Sequence, residues 1–133
     1  MKSLRYQIPA FTWAIIIFLS SSIPGTSPLL KPFAGHDKIV HTIVYFSLAF
    51  LTHRALKYQS RFPSIARHAM LLSLLFAVLY GAADELHQLF VPSRSADIRD
   101  FMVDALGAVT CLLLLALAGL LRKRRSVRAT PVP

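Results

Sequence analysis

The chain holds six acidic side chains, and they fall in three stretches: Asp37, then Asp84 and Glu85, then Asp97, Asp100 and Asp104. Each stretch carries a polar partner at helical spacing. Asp37 and His41 are four apart, Glu85 and Gln88 three apart, and Asp100 and Asp104 four apart, so in helices each pair shares one face. Lys38 and Arg94 add cations beside them. Arg grips phosphate with two parallel N–H donors, and a partly buried carboxyl can act as a general acid. This set therefore suits an anionic head group, with Asp37, Lys38, Gln88, Arg94, Asp100 and Asp104 as binding candidates and Glu85 and His41 as acid/base candidates. Whether there is a reaction at all stays open. A metal held by Asp37, His41, Glu85 and Asp104 is stereochemically conceivable, but the spacing is not specific, so the metal is unknown and no cofactor is expected. Tyr45 and Tyr80 are within reach of the set, although tyrosines near a membrane interface usually act as anchors. His87 falls on another face and reads as interfacial, and His36, His53 and His68 sit at loop edges.

The elements that position these groups follow from composition. The 133 residues are 55% hydrophobic and only 16% charged, with mean hydropathy +0.55. A soluble domain carries about 25% charged residues, so a membrane protein is indicated. Four apolar runs, residues 6–23, 38–56, 69–90 and 101–121, approach the roughly 20 residues that cross a bilayer core. Four such runs cannot close a barrel, which leaves helices as the way to satisfy backbone groups in lipid. The expectation is one all-α domain over residues 1–133, a four-helix transmembrane bundle with a basic tail at 122–133. The acidic stretches then lie at the start of the second helix, the end of the third and the start of the fourth, all at one face of the membrane. Glu85 precedes Phe90 by five residues, or about 7 Å of helix. A carboxylate deep in hydrocarbon costs about 2.5–3.5 kcal/mol, so Asp84 and Glu85 need partners or a wet cavity.

Charge sets the orientation. Lys2, Arg5, Arg54, Lys57, Arg61, Arg67, Arg122, Lys123, Arg124, Arg125 and Arg128 flank one side of the spans without an acid, while all six acids flank the other. The positive-inside rule makes the first side cytoplasmic, with both termini there and the polar stretches outside. The formal net charge of +9 is thus mostly a topology signal, and the tail suits anionic lipid head groups. No nucleic-acid partner is expected, because no aromatic platform accompanies the basic tail. A competing reading of the first run is a secretory signal peptide, with Lys2 and Arg5 before the apolar stretch and Ser20-Ser21-Ser22 after it. Its removal would leave the other three spans in place. Cys111 stands alone in an apolar run and reads as a buried packing thiol. Phosphate-binding loops, nucleophile elbows and H-E-x-x-H helices are all missing, which excludes the familiar nucleotide hydrolases, serine hydrolases and metalloproteases. Gly81, Ala82 and Ala83, with Ala105, Gly107 and Ala108, are expected to let the third and fourth helices approach closely.

Asp37-Lys38-x-x-His41 with Tyr45-Phe46-x-Leu48, then Asp84-Glu85-x-x-Gln88-x-Phe90-x-Pro92-x-Arg94, then Asp100 and Gly107, resemble the VanZ-like family of small bacterial membrane proteins. The likeness spans about residues 36–110. It implies a multi-pass protein of the bacterial cytoplasmic membrane, with the family's polar positions on Asp37, Lys38, His41, Glu85, Gln88, Arg94 and Asp100. The family's founding member is associated with low-level teicoplanin resistance, but the resemblance supplies no reaction. Asp104 departs from the family pattern, which often has Asn there.

Three functional classes follow. The first is an envelope protein whose outer polar pocket binds the head group of a membrane lipid or a lipid-linked envelope precursor. The second is a non-enzymatic protein whose polar cluster fixes helix packing, a partner contact or a homo-oligomer. The third, an ion or proton carrier, is weaker because no acid lies in the cytoplasmic halves of the spans.

Overall fold

The computed structural model describes residues 4–27 and 37–129, with the side chains of Asp37 and of residues 127–129 outside that description. Five helices occupy them: α1 (Leu4–Ser21), α2 (Asp37–Lys57), α3 (Pro63–Arg67), α4 (Ala69–Gln88) and α5 (Ile98–Ala129). No strand occurs among the described residues. The all-α expectation holds, and the four apolar runs correspond to α1, α2, α4 and α5. The short α3 falls between the second and third apolar runs. Pro63 opens it, where a missing N–H costs nothing and the fixed φ suits a first turn.

Three of these helices are long and apolar enough to cross a membrane: Lys38–Lys57, Ala69–Gln88 and Ile98–Ser126. The first helix, 18 residues long, is not among them: Arg5, Gln7 and Pro9 in its opening turns dilute its apolar character. Support for the expected four spans therefore extends to three. The last helix starts earlier and runs further than the apolar run 101–121, reaching 32 residues. Its start is set by Asp97, whose carboxylate accepts the Arg99 N–H at 2.8 Å in the manner of an N-cap. Its far end continues through Arg122, Lys123, Arg124 and Arg125, good helix formers that carry the rod past the apolar stretch.

The second helix occupies the centre and packs against α1, α4 and α5, while α4 and α5 also touch each other. The core joins Ile17 of α1, Tyr45, Leu48 and Ala49 of α2, Ala77 of α4, and Ala108 and Cys111 of α5. Cys111 is buried, as expected of a packing thiol. Outward faces are apolar too: Phe11, Leu79 and Leu113 are each about two-thirds exposed or more. So much exposed hydrocarbon suits lipid rather than water. Gly81 sets α4 close to α5 as expected, a Cβ there lying 3.5 Å from Asp104, but Gly107 serves another pair of helices. A Cβ on Gly107 would run into the Thr42 carbonyl, so this glycine brings α5 against α2 rather than against α4.

The first helix is docked by two polar anchors. The Trp13 indole N–H donates to the Val44 carbonyl at 3.0 Å, and the Tyr80 hydroxyl donates to the Ala14 carbonyl at 2.6 Å. Both pairings are half-buried, and each satisfies a donor that lipid could not. Beyond α1, the turn at Gly25 packs on the turn that follows α4. The Gly25 N–H donates to the Pro92 carbonyl at 3.2 Å, and a Cβ at this position would collide with the Ser93 carbonyl. Ser93 itself has φ 60°, a left-handed conformation rare outside glycine.

Candidate functional site: a polar cluster at one end of the bundle

The start of α2, the end of α4 and the start of α5 meet at one end of the bundle, bringing the separate polar stretches together. His41 Nδ1 of α2 lies 3.0 Å from Asp104 Oδ1 of α5. One turn nearer the helix ends, Lys38 Nζ stands 3.5 Å from Asp100 Oδ1. The rungs are three residues apart on α2 and four apart on α5, and both spacings keep side chains on one helix face.

Consecutive acids on α4 diverge because successive side chains project about 100° apart around a helix. Glu85 turns toward α5, where its Oε2 accepts the Asp97 N–H at 2.8 Å. That bond ties the end of α4 to the cap of α5. Asp84 turns the other way, to line a cavity together with Ser21 of α1 and Gln88 of its own helix. These groups are deep: Asp104 is 1% exposed, and Asp84, Glu85 and Gln88 are 6–7% exposed. Glu85 thus has a partner on one oxygen, and Asp84 lies against the cavity, the two kinds of surroundings a buried carboxylate needs.

Two further contacts close the α1 side. Arg94 Nε donates to the Ile23 carbonyl at 3.2 Å. His87 Nε2 lies 3.0 Å from Ser22 Oγ, and its ring packs on Phe18 with centroids 4.7 Å apart. His87 therefore secures α1 to α4 rather than only marking an interface.

Between α1, α2 and α4 lies a cavity of about 350 Å³. Its wall divides by chemistry. Trp13, Ile16, Ile17, Ile23, Val40 and Val44 line the apolar part, and Ser20, Ser21, His41, Tyr45, Asp84, Gln88 and Arg94 the polar part. Of the candidates read from sequence, His41, Gln88 and Arg94 line this cavity. Lys38, Glu85, Asp100 and Asp104 are not among its lining residues, and Asp37 has its side chain outside the described residues. Sequence reading left out Asp84 and the whole α1 contribution from the binding set. The signal was present in Ser20-Ser21-Ser22, a polar triplet closing an apolar run, which also resembles the end of a signal peptide. Tyr45 is no anchor: it is 1% exposed and central to the core.

On the other side of His41 and Tyr45, His41, Glu85 and Asp104 each offer a metal-ligating atom, and these atoms lie within 4.8 Å of one another. The three residues come from three different helices. Gly81 provides the room, since a Cβ there would come to 3.3 Å from Tyr45 Cε1 and 3.5 Å from Asp104 Oδ2.

A sequence profile of the VanZ/LLP1 family matches residues 6–119, which contain the cluster, the cavity lining and nearly all of α1, α2, α4 and the apolar part of α5. The chain belongs to the VanZ/LLP1 family. In this VanZ/LLP1 protein the resemblance first carried by residues 36–110 extends back through α1, whose side chains build one wall of the cavity. No curated protein and no solved structure matches the chain. For this VanZ/LLP1 protein the chemistry rests on the geometry of its own side chains.

Proposed function

We propose that this VanZ/LLP1 protein is a multi-pass protein of the bacterial cytoplasmic membrane whose cavity binds an amphiphile, with the polar cluster at the outer leaflet. The observation that carries this reading is the divided wall of the cavity. An acyl chain suits the surface of Trp13, Ile16, Ile17, Val40 and Val44, and a polar head suits Arg94, Gln88 and His41. Arg94 is half-buried and keeps guanidinium donors beyond the one on the Ile23 carbonyl, so it is the group that would meet a phosphate. The orientation follows from the cations that flank the opposite ends of the helices. Membrane phospholipid and a lipid-linked envelope precursor share this chemistry, and a role in glycopeptide tolerance such as teicoplanin resistance would follow from the second.

Native mass spectrometry of the protein released from its own membrane tests the reading, with Arg94→Ala and Val40→Trp variants of equal abundance alongside. The expected result is a defined amphiphile on the parent, reduced on both variants, since one loses the cation and the other fills the apolar wall. A bare parent, or the same complement on all three proteins, overturns it. The mass separates phospholipid from envelope precursor.

A second reading, that the cluster mainly fixes helix packing, draws on the Glu85 bond to the Asp97 N–H and the Lys38–Asp100 pair, both internal links between elements. Under it, Arg94→Ala would reduce membrane abundance and phenotype in equal measure.

A further inference from the structure

Three buried oxygens in the cluster have no hydrogen-bond partner among the described residues: Glu85 Oε1, Asp104 Oδ2 and the Tyr45 hydroxyl. Their side chains are 6%, 1% and 1% exposed. Native structures rarely leave such atoms unsatisfied, and an ion is one of the recognised reasons. Asp104 Oδ2 and the Tyr45 ring face the same point beside Gly81. The other oxygen of each carboxylate is already engaged, Glu85 Oε2 by the Asp97 N–H and Asp104 Oδ1 by His41. Each carboxylate is thus held in place by one oxygen and presents the second.

The geometry points to a divalent metal site formed by His41, Glu85 and Asp104, one ligand from each of α2, α4 and α5. The ligand atoms lie within 4.8 Å of one another. A first-row ion binds N and O ligands at about 2.0–2.2 Å, which separates neighbouring ligands by roughly 3.0–3.5 Å. The trio therefore has to draw in by about 1 Å, a side-chain adjustment rather than a helix movement. Two carboxylates balance a double positive charge in a place where an isolated ion would be costly. One imidazole among them favours Zn²⁺ or Mn²⁺ over Mg²⁺ and Ca²⁺, which prefer oxygen alone. Three protein ligands leave further positions open, as in catalytic rather than structural metal sites. The Asp97 N–H on Glu85 is the outer contact that orients a ligating carboxylate. This site does not depend on occupancy of the neighbouring cavity.

The full chain in detergent micelles, stripped with chelator and dialysed against Zn²⁺ or Mn²⁺ in excess Mg²⁺, tests the proposal by elemental analysis. The parent and a His68→Gln variant at the far end of the bundle should each retain about one ion per chain. Glu85→Gln and Asp104→Asn should each bind at least about tenfold more weakly. A parent without bound ion, or variants that hold it equally, overturns the site. Should either variant fail to fold, the parent alone remains decisive through Co²⁺. Visible absorption of a low-symmetry Co²⁺ centre, abolished by added Zn²⁺, supports the site, whereas the spectrum of the hydrated ion overturns it.

Discussion

His41 and Asp104 are 63 residues apart in sequence and joined side chain to side chain at 3.0 Å, with Asp104 almost wholly shut off from its surroundings. This contact links the central helix to the longest one; both residues belong to the proposed metal site, and His41 also lines the cavity on the α1 side. Its chemistry sets the first prediction.

Asp104→Ala should lower stability by about 1–2 kcal/mol, because interhelical polar pairs in membranes contribute from about 0.6 to 1.7 kcal/mol and the His41 ring loses its partner. Asp104→Asn should stay within about 0.5 kcal/mol of the parent, since an amide oxygen still accepts from the ring. Reversible unfolding in mixed micelles measures both. Equal losses in the two variants would show that charge, rather than the hydrogen bond, holds the helices.

Gly107→Ala should cost about 2 kcal/mol or more, because the added methyl meets the Thr42 backbone, which cannot yield without separating α2 from α5. Gly119→Ala, with nothing within 4 Å of the added carbon, should be neutral or slightly stabilising. Retention of the monodisperse peak in detergent after heating compares them.

The docking of α1 rests on few polar contacts. Tyr80→Phe removes the bond to the Ala14 carbonyl, and Trp13→Phe the bond to the Val44 carbonyl. Each should cost about 0.5–1.5 kcal/mol, and the pair should speed proteolysis within α1 before α2, α4 or α5 is cut. Limited proteolysis with mass mapping decides the order of cleavage.

Orientation is open to direct labelling. In a Cys111→Ser background, Ser93→Cys should react with a membrane-impermeant maleimide added to intact cells, and Ser64→Cys only after permeabilisation. The reverse pattern would invert the topology read from the cations and move the polar cluster to the inner face.

Much of this arrangement is legible in the residues alone. The apolar runs are long enough that helices are the only economical answer in lipid, and the i, i+4 spacing within 37–41 and 100–104 dictates which polar side chains share a face. The clustering of acids at helix ends, with cations at the opposite ends, marks one end of the bundle as chemically distinct. The need of Asp84 and Glu85 for partners follows from desolvation cost.

The identity of those partners was decided by tertiary packing. Helices that are apolar on nearly every side carry no stripe in sequence to tell a lipid-facing flank from a buried one, so the direction in which α4 presents Glu85 and Asp84 is set only by its neighbours. That is why Tyr45 lies in the core instead of at an interface, why His87 meets Ser22, and why the small residue Gly107 brings α5 to α2 rather than to α4. It is also why the cavity draws on Ser20 and Ser21, far from every acid in sequence. Sequence determined the four long helices and the chemistry available toward their ends. Only the close approach of three backbones brought His41, Glu85 and Asp104 within reach of one ion, because van der Waals contact between particular helix faces has no periodic signature in an apolar chain.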